Sequence, residues 1–179
     1  MSRLRASLVA WALWLAACGV SPSPARPTAT PGTSTLATSW SHFAEALAGS
    51  WEADGSSART VHVSYERTSR GSALLETWQS GSPAETITVY HPDGDALLLT
   101  HYCGQGNQAR LRSVAASESR VVFQRFEATN LSAAQSVLDE LVLELGSGRL
   151  RRIETYASAT GERETTELVF HRAPPPAAP

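Results

Sequence analysis

Glu76, Tyr90, His101 and Cys103 carry the groups best suited to proton transfer, nucleophilic attack or metal ligation, with His91 between them and Asn107 and Arg110 shortly after. A thiol becomes a nucleophile when a base or cation lowers its pKa, and His101 and Arg110 are the local candidates to do so for Cys103. Residues two apart on one strand lean side by side. The plainer reading is therefore Cys103 as a small buried hydrophobe next to a hydrogen-bonded core histidine. Glu76 alternates with Leu74 and Trp78, which turns its carboxylate inward, and a buried carboxylate needs a partner; Arg110 and Arg112 are the candidates. Structural pairing is favoured over acid-base work, and no catalytic residue is assigned. Asn107, Gln108 and Arg110 follow two glycines and either line a ligand mouth or, for Asn107, stabilise a turn. The sequence contains no phosphate loop, dinucleotide fingerprint or nucleophile elbow.

The hairpin around Asp93-Gly94 decides which of these groups can meet. A type I′ turn centred on that pair sets Pro92 against Asp95, His91 against Ala96 and Thr88 against Leu99. One face then carries Thr86, Thr88, Tyr90, Leu97, Leu99, His101 and Cys103. The other carries Ile87, Val89, His91, Leu98, Thr100 and Tyr102. His91 is thereby separated from His101 and Cys103, too few ligands remain for zinc, and no metal site is expected.

The elements that must hold these residues are mostly strands. A short helix is expected at Trp40 to Ala48, where Trp40, Phe43 and Leu47 share a face and Gly49 supplies the stop. Alternating stretches follow at Val61 to Tyr65, Ser72 to Gln79, Glu85 to His91, Ala96 to Cys103, Ala109 to Ala115, Arg120 to Phe126, Val137 to Leu145, Leu150 to Tyr156 and Glu164 to His171. Val137, Leu138, Leu141 and Leu145 also fit a helical face; the alternation of Leu141, Leu143 and Leu145 favours a strand. Close-set turns, among them Gly81-Ser82-Pro83, Gly104 to Asn107 and Gly146-Ser147-Gly148, predict an all-β, antiparallel up-and-down barrel of about eight to ten strands, closed so that no edge is left unpaired. The clusters Arg149 to Arg152 and Glu162 to Glu167 are read as solvated strand faces.

The N-terminus points to a compartment. Arg3 and Arg5 precede the apolar run Leu8 to Leu15, far short of the roughly twenty residues of a spanning helix, which fits a secretory signal. Leu15-Ala16-Ala17-Cys18-Gly19 resembles the lipobox of bacterial lipoproteins, which implies cleavage before Cys18 and lipidation of its thiol. Residues 1–17 are then the signal peptide, 18–38 the lipidated cysteine with a Ser/Pro/Thr-rich tether, 39–172 the barrel and 173–179 a Pro-rich tail. Cleavage removes two of the fifteen arginines and none of the seventeen acids. The resulting net charge of −4 disfavours nucleic-acid binding. With Cys18 lipidated, Cys103 has no partner in the chain, so stability must come from a hydrophobic core. The resemblance, with Gly19 as second mature residue, implies a membrane-anchored protein of the cell envelope, on the outer membrane and facing the periplasm.

Two further resemblances bear on the barrel. Gly49-Ser50-Trp51 after a helix is similar to the Gly-x-Trp signature of lipocalins and other calycins, in which the tryptophan closes the barrel floor under a basic residue of the last strand; Arg172 stands where that residue would fall. The segments Gly71 to Trp78, Thr88 to Asp95 and Leu99 to Arg110 resemble an uncharacterised bacterial lipocalin-like family with a Thr-His-Tyr-Cys and Gly-Asn-Gln-Pro-Arg hallmark, over roughly residues 47–172, with Ala109 in place of the proline. The resemblance implies a calycin-type barrel without an established activity. Nitrobindins, calycin-like barrels, hold haem through a histidine, but their motif is not matched here, and no cofactor is expected. Three functions follow: binding of a small, largely apolar ligand near Glu76, Tyr90, His101, Cys103, Asn107 and Arg110; a protein-interaction module of the envelope with an unknown partner; or an enzyme using Cys103 or Glu76.

Overall fold

In the computed structural model, residues 35–55, 61–80 and 86–174 are described. Cys18, the signal segment, nearly all of the tether, the turn at residues 81–83 and the end of the tail lie outside them. Helix α1 (Thr35–Leu47) leads into ten strands: β1 (Gly49–Ala53), β2 (His62–Thr68), β3 (Ala73–Gln79), β4 (Thr86–Asp93), β5 (Ala96–Tyr102), β6 (Gln108–Ala116), β7 (Arg120–Thr129), β8 (Ser136–Gly146), β9 (Arg149–Ser158) and β10 (Arg163–Arg172). Each strand pairs antiparallel with its neighbours in sequence, and β1 pairs with β10, so the sheet closes into an up-and-down barrel. The helix begins at Thr35, five residues before the expected start, and takes in the last residues assigned to the tether.

Alternation supplies the inner face. Val63 and Tyr65 of β2 are buried while His62 and Ser64 are exposed, and β3 repeats the pattern with Leu74 and Glu76. The β4–β5 hairpin has the expected faces but a different register: Asp93 opposes Ala96, Tyr90 opposes Leu99 and Thr88 opposes His101. Its central pair is Gly94-Asp95, with a positive φ of 60° at Gly94 alone. A turn with glycine first and an ordinary second residue is of type II′, and it displaces every pairing by two residues, an even step that leaves each side chain on its face.

Strand β8 contains the ambiguity that its sequence showed. A register break between Leu138 and Glu140 inserts Asp139 as an extra residue, so Leu138 and Leu141 both point inward although they are three apart. The bulge imitates a helical spacing. Strands β7 and β8 pair only from Arg120↔Glu144 to Gln124↔Glu140. Past that point β7 ladders to β6 alone and β8 to β9 alone, and the parted wall is bridged by side chains: Arg125 to Asp139 at 2.8 Å and Asn107 Nδ2 to the Ser136 carbonyl at 3.2 Å.

The two ends of the barrel differ. Trp40, Phe43, Ala44 and Leu47, one stripe of α1, seal the end where β1 starts and β10 finishes. Phe43 packs edge-on to Tyr90 and beside Phe123, and the Trp40 indole donates to the Gly71 carbonyl at 2.9 Å. At the opposite end the apolar residues Ala53, Val61, Trp78, Ala128, Tyr156 and Leu168 pack on the core yet stay partly exposed, less completely covered than the residues beneath α1.

Candidate functional site

The helix-side floor is built by Trp51 and Arg172, cross-strand partners on β1 and β10. The guanidinium of Arg172 lies 4.1 Å over the Trp51 ring and donates to the carbonyls of Ala46 and Ala48, which tether the end of α1; the Trp51 indole donates to Leu47 O at 2.7 Å. Gly49 has φ +115°, and a Cβ there would stand 2.8 Å from Arg172 Nη1. The positive φ favours glycine where the chain turns out of the helix, and the missing Cβ leaves room for the arginine as it lies. Open clefts at this end, beside Trp51 and Arg172 and along the turns after β6 and β8, do not reach the interior groups of the next paragraphs.

Above the floor runs a row of inward residues that are successive cross-strand partners: Tyr65, Glu76, Thr88, His101 and Ala109 on β2 to β6. Glu76 is fully buried. Its Oε2 accepts from Tyr90 OH at 2.5 Å and from Arg152 Nη1 at 2.7 Å, and its Oε1 accepts from Thr88 Oγ1 at 3.2 Å. Arg152, on the far wall in β9, is 2 % exposed, donates also to Tyr65 OH and Glu154, and stands 5.2 Å from the Trp78 ring centre. Burial pushes the Glu76 carboxyl up, but the charge and hydrogen bonds of Arg152, with the Tyr90 hydroxyl, outweigh it and hold the group below the usual carboxylate range. Burial and the Glu76 charge push the Tyr65 and Tyr90 hydroxyls well up, so both remain protonated.

The sequence placed Glu76 inside but misassigned its partner. Arg110 and Arg112 alternate against the buried Ala109 and Leu111 and therefore face outward, Arg110 pairing with Glu127 over Phe126 and Arg112 with Asp93 and Asp95. Arg110 is accordingly removed from the candidate ligand-binding residues. The partner, Arg152, belongs to a cluster read as solvated. Its phase was visible, since Leu150, Arg152, Glu154 and Tyr156 share the inner face of β9, and an inward Glu76 calls for an inward cation.

His101 is 2 % exposed, with Nδ1 3.0 Å from Thr88 Oγ1 and its ring edge-on to Tyr156. Thr88 has a single hydroxyl proton, which goes to the Glu76 carboxylate, so its oxygen accepts from His101 Nδ1–H. The other ring nitrogen, Nε2, is then a bare acceptor, and it has no partner among the described residues. Burial pushes the imidazole pKa down, against a smaller lift from Glu154 and Glu76, which keeps the ring neutral. Cys103 is part-buried and free, and Asn107 is wholly buried with Oδ1 unpartnered. His91 lies on the outer face, away from both. Among the described residues no three His, Cys, Asp or Glu side chains gather as metal ligands, and no side-chain hydrogen bond reaches the Cys103 sulfur. No protein-family model matches the chain, and no curated protein matches it.

Proposed function

We propose that this chain is a lipid-anchored envelope protein whose barrel binds a small, largely apolar molecule through a mouth opposite α1. The observation that carries the reading is the asymmetry of the two ends. A helix stripe seals one, while at the other an inner rim of Trp78, Tyr156, Leu168, Val61 and Ala53 is left partly exposed. Inward apolar surface in contact with water gains on being covered, at about 25 cal/mol per Å². A wall of about eight or more strands encloses enough width for one small ligand. His101 and Asn107 each keep one unpartnered polar atom on the inner wall below this rim, the few polar groups that a small-molecule site usually carries. Binding rather than catalysis fits best, because Glu76 is spent on Arg152, Tyr90 and Thr88. The resemblance to a lipocalin-like, calycin-type barrel family, here carried on a chain with a lipobox, belongs to the same proposal.

Titration with the neutral fluorophore N-phenyl-1-naphthylamine tests it. One saturable site is expected, and Ala128→Trp, which puts a bulky ring on the inner wall near the mouth, is expected to weaken binding by about tenfold or more. Circular dichroism checks that the variant is folded. Binding that never saturates in the wild-type protein would overturn the reading, as would a folded variant with unchanged affinity.

A further inference from the structure

Two buried acceptors without partners, His101 Nε2 and Asn107 Oδ1, occupy one patch of the inner wall. His101 opposes Ala109, and the ladder continues as the Cys103 amide donates to the Asn107 carbonyl at 3.0 Å, so Cys103 opposes Asn107. All four side chains face inward, and His101 and Asn107 are diagonal neighbours across the small residues Ala109 and Cys103. Diagonal cross-strand neighbours lie about 7–8 Å apart at Cα, within reach of a single bridging group. The chemistry of each atom is fixed by its surroundings. Thr88 makes Nε2 the bare nitrogen, and the Ser136 carbonyl, which can only accept, holds Asn107 by its Nδ2 and leaves Oδ1 as the acceptor. A buried acceptor without a donor is rare in a native fold, and two on diagonally neighbouring residues point to something that donates twice.

We propose, resting on the ligand-binding reading above, that the ligand carries a nitrogen head with at least two N–H donors, an amide NH₂ or an ammonium, bound between His101 Nε2 and Asn107 Oδ1 with its apolar body directed to the mouth. The formal charge nearby agrees. Two carboxylates, Glu76 and Glu154, share one guanidinium, Arg152, so the interior carries a net negative charge and disfavours a carboxylate head. An aliphatic acid would set its oxygens against two acceptors, whereas an amide or amine of the same length would satisfy both.

Calorimetric titration of the wild-type barrel with hexanamide, hexylammonium, N,N-dimethylhexanamide and hexanoate separates these chemistries. Hexanamide or hexylammonium is expected to bind about tenfold or more tightly than dimethylhexanamide and hexanoate, since a buried acceptor is left unpaired by the latter two. His101→Phe, which keeps a ring and removes the acceptor, is expected to weaken the better of the two N–H ligands by about tenfold while changing dimethylhexanamide less than about twofold. Equal binding of hexanamide, hexylammonium and dimethylhexanamide would overturn the donor requirement and leave the ligand-binding barrel standing. Binding of none of the four would overturn both, with the two acceptors then serving internal water. The comparison among ligands on wild-type protein decides the matter even where the variant does not fold.

Discussion

Arg152→Met is expected to cost the barrel about 3–5 kcal/mol, the effect of removing one member of a buried ion pair and leaving the other charge unmatched. Domains of this size are stable by about 5–15 kcal/mol, so the variant should stand at the edge of unfolding. The reason is specific to the geometry. Without the guanidinium, the Glu76 carboxylate retains only the hydroxyls of Tyr90 and Thr88 in a site closed to water, and Glu154 loses the cation that it shares. Glu76→Gln in the same chain should recover much of the loss, since a neutral amide can keep its bonds to the hydroxyls without an uncompensated charge. Urea unfolding of the three proteins measures this. A single variant within about 1 kcal/mol of wild type would show that Arg152 is not the counter-charge.

The same network gives a sign to the pH dependence. Glu76 has a folded pKa below its unfolded value, so its contribution is present above the unfolded pKa and is lost as pH falls through the folded one. His101 is also held below its unfolded value, near 6.5, so the unfolded chain binds its proton first and stability declines as pH drops below about that point. Both act in one direction, toward loss in acid.

Cys18→Ser is expected to move the protein from wholly membrane-bound to wholly unanchored and to abolish fatty-acid incorporation, whereas Cys103→Ser should leave both unchanged. Each buried methylene contributes about 0.8 kcal/mol, and one acyl chain gives marginal, reversible attachment where two hold firmly, so the loss of a diacylated thiol is close to all-or-none. Folding should survive in both variants. Among the described residues the core begins at Trp40, and the Cys103 side chain is a part-buried thiol that the hydroxyl of serine closely replaces in size. Metabolic labelling followed by fractionation reads the result, and wild-type protein that takes up no label would refute the anchor.

Strand alternation made most of the barrel legible. The helix stripe of Trp40, Phe43 and Leu47, the strand runs and the grouping of Thr88, Tyr90, Leu97, Leu99 and His101 on one face follow from periodicity, because side chains on a pleated strand have only two directions; that this face is the inner one is seen only in the closed barrel. The exact hairpin register did not, since Asp93-Gly94 and Gly94-Asp95 are both good turn centres and differ by an even step that leaves the faces intact. What the sequence concealed was contact across the barrel. Arg152 and Glu76 are 76 residues apart on opposite walls, and local context favours the nearer Arg110, which the outward phase of β6 excludes. The bulge at Asp139 is likewise invisible to a count of alternation, and it is what lets β8 imitate a helix. The patch formed by His101, Cys103 and Asn107 could be assembled only once the ladder past Tyr102 was known.

Native mass spectrometry of the protein purified from the envelope of its own host tests the central claim most directly. Lipid on Cys18 adds mass that survives denaturation, whereas a molecule held in the barrel adds mass that does not. The account predicts a second, lower mass on denaturation, with the released species a small compound that competes with the naphthylamine probe. A single mass under both conditions, together with a crystal structure in which the mouth between Trp78, Tyr156 and Leu168 is filled by the protein's own side chains, would contradict it.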